Sequence, residues 1–60
     1  MPLIEVKLYD RRVTEESLPK IISALTAALA ESSGAAKEDI HVIVHGVAPQ
    51  QWGVGGKPGA

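Results

Sequence analysis

Cysteine is absent from this 60-residue chain, and so is phenylalanine. Without cysteine there can be no disulfide and no thiolate zinc site. That absence fits a cytoplasmic protein, which is the location expected here. Histidine occurs only at His41 and His45, too few for a structural metal cluster. Tyr9 and Trp52 are the only aromatics, so the 45% of hydrophobic residues must build an aliphatic core. No charge dominates. A formal net charge of −1 argues against a surface that works by neutralising phosphates, so no nucleic-acid partner is expected. No apolar stretch approaches the ~20 residues of a membrane-spanning helix, so no membrane partner is expected either. The N-terminus lacks the basic region and apolar run of a secretory signal.

Residues 1–60 are expected to form one domain. A chain this short hides only about 60% of the surface it exposes when unfolded. Small scaffolds usually recover the deficit through disulfides, a metal or oligomerisation. With the first two excluded, oligomerisation remains.

Leu3 to Tyr9 alternates, with Ile4, Val6 and Leu8 on one side and Glu5, Lys7 and Tyr9 on the other. That period of two predicts a strand with one buried face. Asp10, Arg11 and Arg12 break it with a polar loop. Thr14 is a candidate N-cap, and Glu15 and Glu16 place acids in a first helical turn. Leu18, Ile21, Ile22, Leu25, Ala28 and Leu29 form one stripe of an amphipathic helix. Pro19 is tolerated only in the first turn, so the regular helix is expected to begin close to Ser17. Ser32, Ser33 and Gly34 end it, with Gly34 in the left-handed conformation. Lys37 to Asp39 reads as a polar turn, and Ile40 to Val44 as a second strand. A helix of about 16 residues and a strand of about seven both run ~23–24 Å. Strand, helix and strand therefore predict a crossover unit with two parallel strands. The glycine-rich tail from Val47 cannot be helical, and Gly53-Val54-Gly55-Gly56 suggests a short hairpin.

The fold class is thus α/β: a β-α-β unit with one amphipathic helix and a short C-terminal hairpin. Two strands and one helix cannot close a core, and both strands are edges that invite pairing with another chain. The sheet is expected to be completed by oligomerisation.

Several features bear on chemistry. Gly53 to Gly59 is no phosphate loop, because Pro58 follows Lys57 where Ser or Thr and a helix are needed. His41 and His45 share one face but lie ~13 Å apart along a strand, too far to chelate one metal within a chain. Adjacent arginines such as Arg11 and Arg12 are usually just solvated, unless their loop presents a guanidinium to a carboxylate. Trp52, in the tail, could serve as core, interface anchor or pocket wall. Pro2 follows the initiator methionine, which is efficiently removed before a small residue. The exposed terminus would be a secondary amine able to act as base or nucleophile near neutral pH. For an arbitrary chain a proline there marks nothing but the residue after the start. The rest of the sequence has to decide.

N-terminal Pro2-Leu3-Ile4, an arginine loop, an amphipathic helix, a second strand and the tail Trp52-Gly53-Val54-Gly55-Gly56-Lys57 occur in that order. Together they resemble the tautomerase superfamily, close to 4-oxalocrotonate tautomerase, over nearly the whole chain. The resemblance implies a β-α-β fold assembled as dimers, usually three in a homo-oligomeric hexamer. It implies a cofactor-independent keto–enol tautomerase, with no metal, acting on a small carboxylate such as a 2-hydroxydienoate or 2-oxoacid. By position, Pro2 takes the role of general base, Arg12 that of carboxylate ligand and Trp52 that of apolar wall. Arg11 stands where the family usually has glycine, and one extra residue lies between Arg12 and Ile21. His41 stands where the enzyme of a dicarboxylate carries a second arginine. An imidazole is only partly charged near neutral pH, so a second carboxylate should be held less well unless Arg11 substitutes. Alternative readings are hydration or dehalogenation of an unsaturated acid, or a noncatalytic oligomeric module on the same fold.

Overall fold

A computed structural model describes residues 2–59, which fold as two parallel strands joined by one helix and followed by a small hairpin. Strand β1 spans Leu3–Tyr9 and leads into a 3-10 turn at Asp10–Arg12. Helix α1 spans Ser17–Ser33, and a second 3-10 turn at Lys37–Asp39 precedes β2, His41–Val47. A third turn at Pro49–Gln51 leads to the β3–β4 hairpin, Gly53–Val54 with Lys57–Pro58.

β1 and β2 pair in parallel, from Leu3 opposite His41 to Tyr9 opposite Val47. The His41 N–H extends the ladder by donating to the Pro2 carbonyl at 3.0 Å. Ile4, Val6, Leu8, Val42 and Val44 are half-buried, whereas Leu3, Glu5, Lys7, His41, Ile43 and His45 are exposed. The alternation expected of β1 holds from Leu3 to Leu8 and recurs in β2 from His41 to His45, but Tyr9 and Val47 depart from it and are half-buried. β2 differs from its expected bounds: it starts one residue later than Ile40 and runs three residues beyond Val44. His45 and Gly46 carry little strand preference of their own. Pairing with Lys7, Leu8 and Tyr9 keeps them in the ladder.

Thr14 caps the helix through a reciprocal pair. Its hydroxyl accepts the Ser17 N–H at 2.9 Å, and the Ser17 hydroxyl accepts the Thr14 N–H at 3.0 Å. This is a capping box with serine in place of the usual acid or amide. Leu18 N–H already reaches the Thr14 carbonyl at 3.0 Å. Pro19 has no N–H for the next carbonyl, so the regular helix begins only at Ser17. Gly34 ends it at φ 82°, its N–H on the Ala30 carbonyl. In the hairpin, Gly55 and Gly56 have φ of 63° and 83°. A two-residue loop with positive φ at both positions is the turn whose twist suits paired strands.

The helix covers one face of the ribbon and packs chiefly on β2. Leu18, Ile21, Leu25 and Leu29 are half-buried, but Ile22 stays 39% exposed. The other face of the ribbon exposes Leu3 and Ile43, at 52% and 43%. Among the described residues only Ile40 is buried. The radius of gyration is 13.8 Å, against about 10.4 Å for a typical domain of this length. The accessible surface is 4495 Å², against about 3700 Å² for a folded monomer of this mass. One chain by itself leaves much of its apolar surface uncovered. No helix among the described residues is long and apolar enough to cross a membrane.

Candidate active site

Five residues were singled out from the sequence, and the ribbon sorts them into two groups. Pro2 and His41 lie at the end where both strands start, joined by the hydrogen bond between their backbones. Pro2 is half-buried and His41 exposed. The expected removal of Met1 concerns a residue outside the described ones.

Arg11, Arg12 and Trp52 lie at the opposite end. The Asp10–Arg12 turn is closed by the Val13 N–H on the Asp10 carbonyl at 3.0 Å. The Ser17 hydroxyl donates to the Arg12 carbonyl at 2.7 Å and ties the turn to the helix start. Gly46 lets the turn settle onto β2: a Cβ there would stand 3.2 Å from Asp10 Cα and 3.3 Å from Val13 Cγ2. The Asp10 contact is to backbone, which can give only by shifting the turn itself.

Arg12, Leu8, Tyr9 and Trp52 line a cavity of about 340 Å³. Its walls are two aromatic rings and a leucine, with one guanidinium among them. That composition suits a small anion with a flat apolar body. A second cavity, of about 280 Å³, lies against Trp52 as well and is lined by Lys7, Val47, Gln51 and Gly53. Trp52 is half-buried and therefore borders two open spaces.

The rings of Tyr9 and Trp52 meet nearly edge-on, with centroids 5.1 Å apart and planes at 83°. Aromatic pairs favour this arrangement because ring edges are positive and ring faces negative. The Trp52 carbonyl accepts the Gly59 N–H at 2.6 Å, which folds the hairpin back over the pair. The Tyr9 hydroxyl abuts Gly59 where a Cβ would have to go. Arg11 does not line the 340 Å³ cavity; its guanidinium lies over the Tyr9 ring, 5.2 Å from the centroid.

The sequence reading did not place Leu8 or Tyr9 at this cavity. Alternation put Tyr9 on the side of Glu5 and Lys7, but Tyr9 is half-buried against Trp52, and alternation said nothing about what would meet it there. An aromatic at the end of a strand beside two arginines was the available signal.

A family model described as tautomerase enzyme matches residues 2–60. The probable tautomerase RSp0893 of Ralstonia nicotianae is 41% identical over 58 residues, covering 97% of this chain and 81% of its own. Among solved structures, TomN, a 4-oxalocrotonate tautomerase homologue of the tomaymycin biosynthetic pathway, superposes with a TM-score of 0.87 at 37% identity. The match covers 95% of this chain and 86% of TomN. A heterohexamer 4-oxalocrotonate tautomerase from Chloroflexus aurantiacus gives a TM-score of 0.85 at 29% identity, covering 97% and 92% of the two chains.

Proposed function

The chain belongs to the tautomerase family, and from that premise we propose that it is a cofactor-independent keto–enol tautomerase of 2-hydroxydienoates or 2-oxoacids. A free Pro2 amine is the base. Its lone pair takes a proton from the enol hydroxyl, or from the carbon beside the carbonyl. The conjugated anion that results takes the proton back at a different carbon, so no atoms are gained or lost. Arg12 grips the substrate carboxylate through two parallel hydrogen bonds. Leu8, Tyr9 and Trp52 keep water from the conjugated body, which strengthens the electrostatic hold. His41, beside Pro2, is the weaker counterpart of a second arginine and favours monocarboxylates.

The observation that carries this reading is the shared cavity of Arg12 and Trp52, where a guanidinium and an indole face one space, as a carboxylate ligand beside an apolar wall would. A base must stand within hydrogen-bond reach of its proton. Pro2 lies beyond the seven residues of β1, about 23 Å along a strand. The amine that serves this cavity therefore belongs to a second copy of the chain. The uncovered apolar surface and the two strand edges support a homo-oligomer, which we assign as a hexamer of three dimers.

Mixing two defective variants tests the shared site. One carries extra residues ahead of Pro2, and the other is Arg12→Ala. Co-refolded at equal amounts, they should regain activity at about a quarter of the sites, the share given by random pairing of copies. No recovery, in oligomers shown by mass to contain both chains, would refute the shared site.

A further inference from the structure

We propose that Tyr9 divides the work of the two adjacent arginines: it holds Arg11 on its ring and leaves Arg12 to face the cavity. The inference rests on the reading of Arg12 as the carboxylate ligand. Arg11 and Arg12 have the same charge, are both exposed and occupy successive positions of one 3-10 turn. Successive side chains on such a turn diverge by ~120°. Divergence alone does not keep Arg11 away, because a guanidinium on a long flexible stem can swing back to an anion nearby.

What holds Arg11 is the Tyr9 ring, whose centroid lies 5.2 Å from the guanidinium carbon. That is inside the ~6 Å range over which a cation is drawn to an aromatic face. The ring does not owe its own place to Arg11. Its backbone is fixed opposite Val47 in the ribbon. Trp52 meets it nearly edge-on, and its hydroxyl abuts Gly59. Gly59 in turn is tied to the Trp52 carbonyl. Tyr9 is thus fixed by three separate parts of the chain, and Arg11 rests on a rigid support. The same ring also lines the Arg12 cavity. Tyr9 is a positioning residue, and it leaves the site with one working cation.

Removing the ring should release Arg11 at the rim of the same cavity. The test compares the cost of Arg12→Ala in the native chain and in Tyr9→Leu, using the enol of phenylpyruvate as probe. In the native chain Arg12→Ala should lower kcat/KM roughly ten- to a hundredfold. In Tyr9→Leu the same change should cost about threefold less, the scale of one exposed cation–aromatic contact. Adding Arg11→Ala should abolish that rescue, and in Tyr9→Phe, which keeps the aromatic face, Arg12→Ala should cost as much as it does in the native chain. Should Tyr9→Leu not assemble, Tyr9→Met fills the space without an aromatic face and serves in its place. Equal costs in both backgrounds would overturn this inference alone, and would mean that the turn by itself separates the arginines. No loss from Arg12→Ala in the native chain would overturn the carboxylate reading and this inference with it.

Discussion

At the Pro2–His41 end of the ribbon, one backbone hydrogen bond joins a half-buried proline to an exposed histidine. At the Tyr9–Val47 end, four segments converge: the end of β1, the arginine turn, Trp52 and the folded-back hairpin. On the proposed reading, the first end carries the base and the second the cation and its apolar walls. Parallel pairing forces this division, because both strands start at one end and finish at the other. A small β-α-β chain can therefore complete only one side of a reaction centre. On the proposed reading, oligomerisation is part of the catalytic geometry as well as a remedy for a thin core.

The comparison can be broken most severely at the Pro2 end. Residues fused ahead of Pro2 turn its amine into an amide and remove the base. The rate should fall about 10²–10⁴-fold, the usual worth of a positioned general base. Circular dichroism and sedimentation should stay unchanged. Full turnover by an extended chain, shown by intact mass to be unprocessed, would take proline out of the mechanism.

At the other end, Arg12→Ala should cost roughly ten- to a hundredfold in kcat/KM, the loss of a charged hydrogen bond. Arg11→Ala should cost clearly less. The opposite order in steady-state assays would exchange their roles. His41→Arg sharpens the unfinished end by adding a permanent planar cation beside Pro2. It should improve 2-hydroxymuconate over the enol of phenylpyruvate on the order of fivefold, about 1 kcal/mol. Unchanged preference would remove His41 from the site. The smallest effect is expected from Gly46→Ala, whose Cβ crowds Asp10 and Val13 of the arginine turn. It should lower stability by about 1 kcal/mol, read as a lower Tm. Activity at saturating substrate should barely change.

Much of the fold was legible in the sequence because its signals are local. Alternation gave β1, the apolar stripe gave α1, and Pro19 and Gly34 marked where regular helix could begin and end. Gly53-Val54-Gly55-Gly56 suggested the hairpin, and the turn falls at Gly55 and Gly56. The end of β2 was not legible, since His45 and Gly46 enter the ladder through pairing with a distant strand. For the site, the resemblance pointed to Arg12 and Trp52, and the structure brings both to one cavity. Tyr9 was missed because periodicity assigns a residue to a face but not to a neighbour. Its neighbours, Trp52 and Gly59, lie in the last part of the chain.

The β1–β2 register also has a consequence for how the chain folds. Leu3 pairs with His41, so the first ribbon contact closes a loop of 38 residues (41 − 3). Contacts this far apart in sequence are slow to form, because closure entropy is lost before any pairing is gained. Until that loop closes, β1 has no partner strand in its own chain, and its alternate apolar residues are open to other chains. Glu5 and Lys7 interrupt that stretch with charge, as residues that guard an unpaired strand against aggregation do. The same two side chains remain exposed in the finished ribbon.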